Sequence, residues 1–294
     1  MQPAARLYRP HIQTLSARYD AALESSEFDA VLIGAGVPLP VHRDDQDYPY
    51  RPEPLFLQWA ALQAHPGSAL LYRPGRTPLL LVHEPEDFWH QAAPVPKGPW
   101  AKVLDIRVMR RRDEIARHLP AAKRGKPRVA LLGDPVQWRG LSLPGTVNPK
   151  LLLTHLDYDR AFKTPWEVAC MQVATAMGLA GHRAVRQAFA AGCSEYEMGL
   201  MFLAATAQTD QQLPYPAIVA VNRNGATLHY QHRDRHRLPA GERHSLLLDA
   251  GCDYAGYASD ITRTWSAGDP EFAALVAGMD ALQRALAGGI RAGR

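Results

Sequence analysis

Short apolar runs alternate with helical patterns through the first half of the chain. Thr14 to Glu27 reads as a helix, and "AVLIG" (Ala30 to Gly34) follows as a strand. Four more strands are predicted at "ALLYR" (Ala69 to Arg73), "PLLLVH" (Pro78 to His83), "KVLDI" (Lys102 to Ile106) and "RVALLG" (Arg128 to Gly133). Runs this short and this continuous, separated by helical segments, predict a sheet covered by helices. A long Pro-rich loop, "VPLPVHRDDQDYPYRPEP" (Val37 to Pro54), interrupts the alternation. Loops of that length are functional or mobile. Its acidic cluster, Asp44, Asp45 and Asp47, reads as a solvated loop or as a cation site. No glycine-rich loop follows any of these strands, which argues against a nucleotide site.

The pattern changes near residue 160. Thr164, Pro165 and Glu167 form a capping box with proline at the first helical position, and Gly192 is a suitable stop. Ser194 and Glu197 repeat the device for a second helix. Strands are expected at Ala217 to Asn222 and Ser245 to Gly251, and Asp269 with Pro270 opens a last amphipathic helix. Trp59, Trp166 and Trp265 are expected in the core. The chain therefore divides into an α/β N-terminal domain, residues 1–158, and an α+β domain, residues 159–294.

The segment "LLLDAGCDYAGYASDITRTW" (Leu246 to Trp265) reads as a hairpin carrying two aspartates. With Asp253 to Gly256 taken as a four-residue loop, Asp249 stands opposite Asp260. Directly opposed residues share a face, with Cβ atoms about 4.5–5.5 Å apart. Two like charges placed so need a proton or a cation between them. The other reading is a bulged hairpin with both aspartates in water, and spacing alone leaves both open. Oxygen-only ligation suits Mn²⁺, Mg²⁺ or Ca²⁺, and paired carboxylates can organise two metals that activate water against a carbonyl.

Composition narrows the classes. The 294 residues suffice for one large domain or two ordinary ones. Lys and Arg number 33 against 29 Asp and Glu, and the basic residues are dispersed. The one basic run, Arg110 to Arg112, precedes Asp113 and Glu114 and reads as a solvated helix start rather than a nucleic-acid patch. Three widely spaced cysteines make neither a disulfide framework nor a zinc site. No apolar run is long enough for a membrane span, and no secretory leader is evident at the N-terminus. The expectation is a soluble, cytoplasmic protein.

The hairpin resembles the two-aspartate segment of the pita-bread metallopeptidases, and within them the bacterial Xaa-Pro dipeptidases (prolidases). "VPLPVHRDDQDYPYRPEPLFLQWA", "YDRAFKTPWEVACM" and "LPYPAIVAVNRNGATLHY" precede it in that family's order and spacing. The resemblance implies a creatinase-like N-terminal domain before a pita-bread domain. It implies a hydrolase of dipeptides with C-terminal proline, using two Mn²⁺ ions per subunit and working as a homodimer. Asp249 and Asp260 match metal ligands. His229 matches a histidine that helps stabilise the reacting carbonyl and contacts substrate, and Tyr215 matches a tyrosine of the substrate pocket. Asp45, in the acidic loop, matches a region that reaches the partner's active site.

That family takes its remaining ligands, one His and two Glu, from the second half of the pita-bread domain. Here the sequence runs about one helix past the hairpin, so the domain reads as truncated and this chain alone as inactive. No residue after Asp260 is a convincing replacement: Asp269 and Glu271 belong to a helix start, and Asp280 faces solvent mid-helix. His232 and His236 read as surface residues. The alternatives are a non-catalytic homologue acting as a binding or dimerisation module, and one half of a split enzyme.

Overall fold

Helix α1 (Tyr8–Ser26) begins six residues before the predicted start at Thr14. Pro10 obscured that start, yet in the first turn of a helix a proline costs no hydrogen bond. The buried residues Tyr8, Ile12, Leu15, Tyr19 and Leu23 recur at helical spacing, and Glu27 (φ 60°) ends the helix in a left-handed cap. The computed structural model describes residues 5–86, 88, 98–120 and 128–293. It forms two compact units, Met1–Cys170 and Met171–Arg294.

In the first unit, strands β1 (Ala30–Gly34), β2 (Ala69–Tyr72), β3 (Leu79–His83), β4 (Asp105–Met109), β5 (Val129–Leu132) and β6 (Thr146–Val147) form one sheet in the order β4-β3-β2-β1-β5-β6. β1 runs parallel to β5 and antiparallel to β2. All five β1 residues are buried, as a continuous apolar run demands of a strand covered on both faces. One face packs Leu32, Leu71, Leu81 and Leu131 on Ile115 and Trp138. On the other, Tyr72 meets Trp59 at 5.1 Å and Tyr19 at 6.0 Å. Trp59 closes α2 (Pro54–Trp59), a helix hidden at the end of the Pro-rich stretch, where the Glu53 side chain accepts from Leu55 N–H. Helix α3 (Lys150–Arg160) buries Leu152 and Leu156. The strand expected at Lys102 to Ile106 is corrected to Asp105–Met109. Lys102 ends a 3-10 turn, and the edge strand carries Asp105 and Arg107 facing water instead of a continuous apolar run.

A buried polar knot closes this unit. His11 lies 2.8 Å from Thr164 Oγ1 through Nδ1 and 2.8 Å from the Gln58 carbonyl through Nε2. Gln58 Nε2 donates to Glu167 (3.1 Å), whose other oxygen accepts from Thr164 N–H (2.7 Å). The predicted capping box thus starts α4 (Pro165–Ala190) in a buried setting.

The second unit holds most of α4, α5 (Glu195–Thr206) and a three-stranded antiparallel sheet. Its strands β7 (Ile218–Val221), β8 (Ser245–Asp249) and β11 (Thr262–Ser266) take the order β11-β8-β7. Val185, Phe189, Met198 and Phe202 pack against Val219, Leu246 and Leu248. Trp265 is partly buried against the same cluster. The predicted capping box at Ser194 and Glu197 starts α5, and Asp269 caps α6 (Pro270–Gly289). On α6, Leu275, Met279, Leu282 and Leu286 form a stripe that is 53–66% exposed. Among the described residues no helix is long and apolar enough to cross a membrane.

Candidate metal centre

The pairing of β8 with β11 sets the centre. Asp249 stands opposite Thr262, and Leu248 opposite Arg263. The same offset continues at the tip, where β9 (Asp253–Tyr254) pairs with β10 (Tyr257–Ala258), Tyr254 opposite Tyr257. The turn is therefore Ala255-Gly256, both at positive φ (57° and 85°), the two-residue type that matches the twist of a hairpin. This corrects the expected four-residue loop and the direct Asp249–Asp260 opposition; the offset puts Asp260 across from Gly251. An alanine at the first turn position carries no local sign of a left-handed conformation, which is why the shorter turn was not read. The error spans two residues, and side chains alternate with period two, so both aspartates still share a face.

Tyr215 joins them. Its hydroxyl lies 3.0 Å from Asp249 Oδ1 and 2.9 Å from Asp260 Oδ1. The two carboxylate oxygens are thus no farther apart than about 5.9 Å, the sum of those distances. A phenol has one proton to give, so the second contact needs another proton or a cation between acceptors. Burial and the two neighbouring carboxylates push the Tyr215 phenol far above its ordinary range, so it remains a donor. Asp249 is half-buried and Asp260 exposed.

The two arms approach closely beside the aspartates. A Cβ on Gly251 would fall 1.8 Å from the Ser259 carbonyl oxygen. Ser259 Oγ takes the Cys252 N–H (3.0 Å) and donates to the Ala174 carbonyl on α4 (3.1 Å). Behind the hairpin, buried His182 lies 3.1 Å through Nε2 from the Ala250 carbonyl. Desolvation lowers its pKa, so the ring is neutral. His182 was not singled out from sequence. Its signal is the α4 stripe Gly178, His182, Val185, Phe189, a polar residue on an otherwise apolar face.

The other expected residues lie elsewhere. His229 is exposed, in a turn after the 3-10 segment Asn222–Ala226, with no hydrogen bond to either aspartate. His232 and His236 are exposed, as read. Asp45 sits in an exposed loop closed by a bridge between Pro40 and Asp47. Asp280 pairs with Arg284 on α6. Among the described residues no three His, Cys, Asp or Glu side chains converge. The pair fits a hard divalent ion as two ligands of a larger oxygen-rich set, and does not enclose one by itself.

Sequence reasoning also missed a buried carboxylate, Glu195, the first residue of α5 and 3% exposed. Its Oε1 accepts from Val221 N–H (2.7 Å) and Asn224 Nδ2 (2.8 Å). Its Oε2 accepts from the Tyr230 hydroxyl (2.7 Å) and Asp234 N–H (2.8 Å). Burial and this carboxylate push the Tyr230 phenol up to about 12. In the sequence Glu195 stands between the capping residues Ser194 and Glu197 with nothing local to mark it.

An α/β module joined to helices over an antiparallel sheet, with a hairpin presenting two carboxylates, is the architecture of the pita-bread metallopeptidases. Comparison with known proteins agrees. Residues 6–158, just over half of the chain, match the Xaa-Pro dipeptidase N-terminal domain, and residues 169–294 match metallopeptidase family M24. The Xaa-Pro dipeptidase of Aeromonas hydrophila is 40% identical over 294 residues, all of this chain and 66% of that protein. That of Edwardsiella ictaluri is 40% identical over 297 residues, again with 66% of its length covered. Among solved structures, Pseudomonas aeruginosa aminopeptidase PepP superposes with a TM-score of 0.65 at 23% identity, over 92% of this chain and 64% of that one. Escherichia coli aminopeptidase P with the inhibitor Pro-Leu gives 0.63 at 20% identity, over 91% and 63%. These two likenesses bear on the fold alone. The chain belongs to the Xaa-Pro dipeptidase family of M24 metallopeptidases, and it spans 66% of the length of these curated relatives.

Proposed function

We propose that this chain supplies part of the active site of a metal-dependent Xaa-Pro dipeptidase, hydrolysing dipeptides with C-terminal proline. The observation that carries the reading is the convergence of Asp249 and Asp260 on one hydroxyl, in a chain whose curated relatives bear that name. The two aspartates hold divalent metal, with Mn²⁺ the expected ion and two ions per complete site. When bound, such ions polarise a scissile carbonyl and activate water. Tyr215 orients the carboxylates and lines the substrate pocket, and His229 steadies the reacting carbonyl. The reading divides the chain into modules 1–158 and 159–294, working as a cytoplasmic homodimer with no nucleic-acid or membrane partner. The boundaries of the two family matches support that division.

The lack of a converging third ligand among the described residues favours a second component: one His and two Glu from further polypeptide. The assay is proline release from Ala-Pro with added Mn²⁺. The 294-residue polypeptide alone is expected to give none. Addition of a polypeptide carrying the remaining ligands is expected to give turnover that Asp249→Ala and Asp260→Ala each abolish. No turnover in the complemented mixture would leave the binding-module reading. Turnover by the chain alone, lost in both variants, would mean that it completes its own site.

A further inference from the structure

We propose that Glu195 is a positioning residue, a buried carboxylate whose four accepted hydrogen bonds fix the segment 221–234 and thereby the presentation of His229. The importance of His229 rests on the dipeptidase reading; the anchoring of the segment does not. The segment has little regular structure of its own. It contains one 3-10 turn, and Leu228 at its bend is 88% exposed. Asn222 ties its start to Glu242, His244 and Ser245, Arg233 reaches Asp210 and the Ala217 carbonyl, and α5 holds the stretch between through three consecutive residues of its first turn. Glu195 takes four donors from positions 221, 224, 230 and 234. Tyr196 N–H donates to the Asp234 carbonyl (3.0 Å), so both backbone groups of Asp234 are bound to adjacent α5 residues. The Arg235 guanidinium lies 4.2 Å over the Tyr196 ring, and Arg237 forks both oxygens of Glu197.

The polar groups around Glu195 balance. Each carboxylate oxygen accepts two bonds. Asn224 spends both amide protons, one on Glu195 and one on the Tyr230 oxygen (3.0 Å), and Tyr230 spends its single proton on Glu195. Nothing in this set tolerates an added donor without losing a partner. The α5 N-terminus, where exposed N–H groups carry partial positive charge, further favours a carboxylate. Removing it leaves three amide donors and a hydroxyl without this acceptor, and partly satisfied networks are where local order fails first. His229 adjoins Tyr230, so what Tyr230 holds, His229 inherits.

The test is Glu195→Gln in the full 294-residue chain, of the same shape but with a donor where an acceptor is needed. Amide hydrogen exchange at Val221 and Asp234 is expected to quicken at least about tenfold, with Leu246 and Leu248 in β8 unchanged. Added Mn²⁺ serves as a paramagnetic probe. The broadening of His229 imidazole signals relative to those of His182 is expected to change at least twofold in the variant. A loop no longer held samples a wider set of distances, whereas His182 keeps its place behind the hairpin. Wild-type exchange at Val221 and Asp234, or an unchanged broadening ratio, would overturn the proposal. If His182 is not broadened in the wild type, the metal reading fails and exchange alone decides. If Glu195→Gln loses protection at Leu248 as well, Tyr230→Phe decides. It removes one donor and leaves the charge solvated by three, so a smaller, loop-confined increase supports the anchor and no increase overturns it.

Discussion

At the scale of single residues, the centre depends on two groups that do no chemistry. Gly251 has to be glycine because the Ser259 carbonyl occupies the place of a Cβ, at 1.8 Å. The contact is with backbone on the neighbouring arm, so no side-chain rotation relieves it. Gly251→Ala is expected to cost about 2–3 kcal/mol, in the upper range for overpacking, read as a lowered urea midpoint of the Met171–Arg294 unit. Tyr215 acts differently. Without metal its hydroxyl is, among the described residues, the group shared by both carboxylates. Tyr215→Phe is expected to destabilise the metal-free chain by about 1 kcal/mol, the scale of a lost hydrogen bond. Mn²⁺ takes over that screening, so the rise in melting temperature on adding it is expected to be larger in the variant. An equal or smaller rise would show that the hydroxyl does not stand in for a cation.

Among the elements, α6 and the polar knot at the start of α4 invite separate tests. The exposed stripe Leu275, Met279, Leu282 and Leu286 lies along one face of a helix with no fully buried side chain. Contiguous apolar faces of this kind promote association. Leu282→Glu with Leu286→Glu is expected to shift the sedimentation profile toward monomer and raise solubility without changing the far-ultraviolet circular dichroism; an unchanged profile would clear α6 of the association. In the knot, burial lowers the His11 pKa, with Arg18 adding to that and Glu167 and the Gln58 carbonyl opposing it. The folded state then binds a proton less readily than the unfolded one. The stabilisation is complete above the ordinary histidine value and falls away as pH drops below it toward the lowered folded value. Urea midpoints are expected to fall between about pH 7.5 and pH 5.5, and His11→Gln to flatten part of that slope. An identical slope in the variant would assign the acid sensitivity to other histidines.

For the whole molecule, strong local signals were legible and long-range geometry was not. Continuous apolar runs located β1, β2, β3 and β5 to within a residue at either end, because burial on both faces leaves little choice of composition. Three helix starts, at Thr164, Ser194 and Asp269, were legible because the capping groups lie within three residues of one another. Edge strand β4 was displaced because an edge needs charge more than apolarity. Both aspartates and Tyr215 were singled out as candidates, but the hydroxyl link between them depends on folding that brings position 215 to positions 249 and 260. Glu195 and His182 escaped for the same reason: burial, not residue type, makes them distinctive. Their partners lie 26 to 68 residues away in sequence.

The two-residue turn at Ala255-Gly256 also bears on how a gene of this kind can change length. Insertions or deletions of an even number of residues at that tip would lengthen or shorten both arms equally and leave Asp260 across from Gly251, on the side of Asp249. An odd change would turn the whole outgoing arm over, sending Asp260 to the opposite side and exchanging Trp265 with a polar neighbour. Natural variation in this hairpin is therefore expected to come in steps of two, and a library of tip lengths selected for Mn²⁺ binding would return the even members.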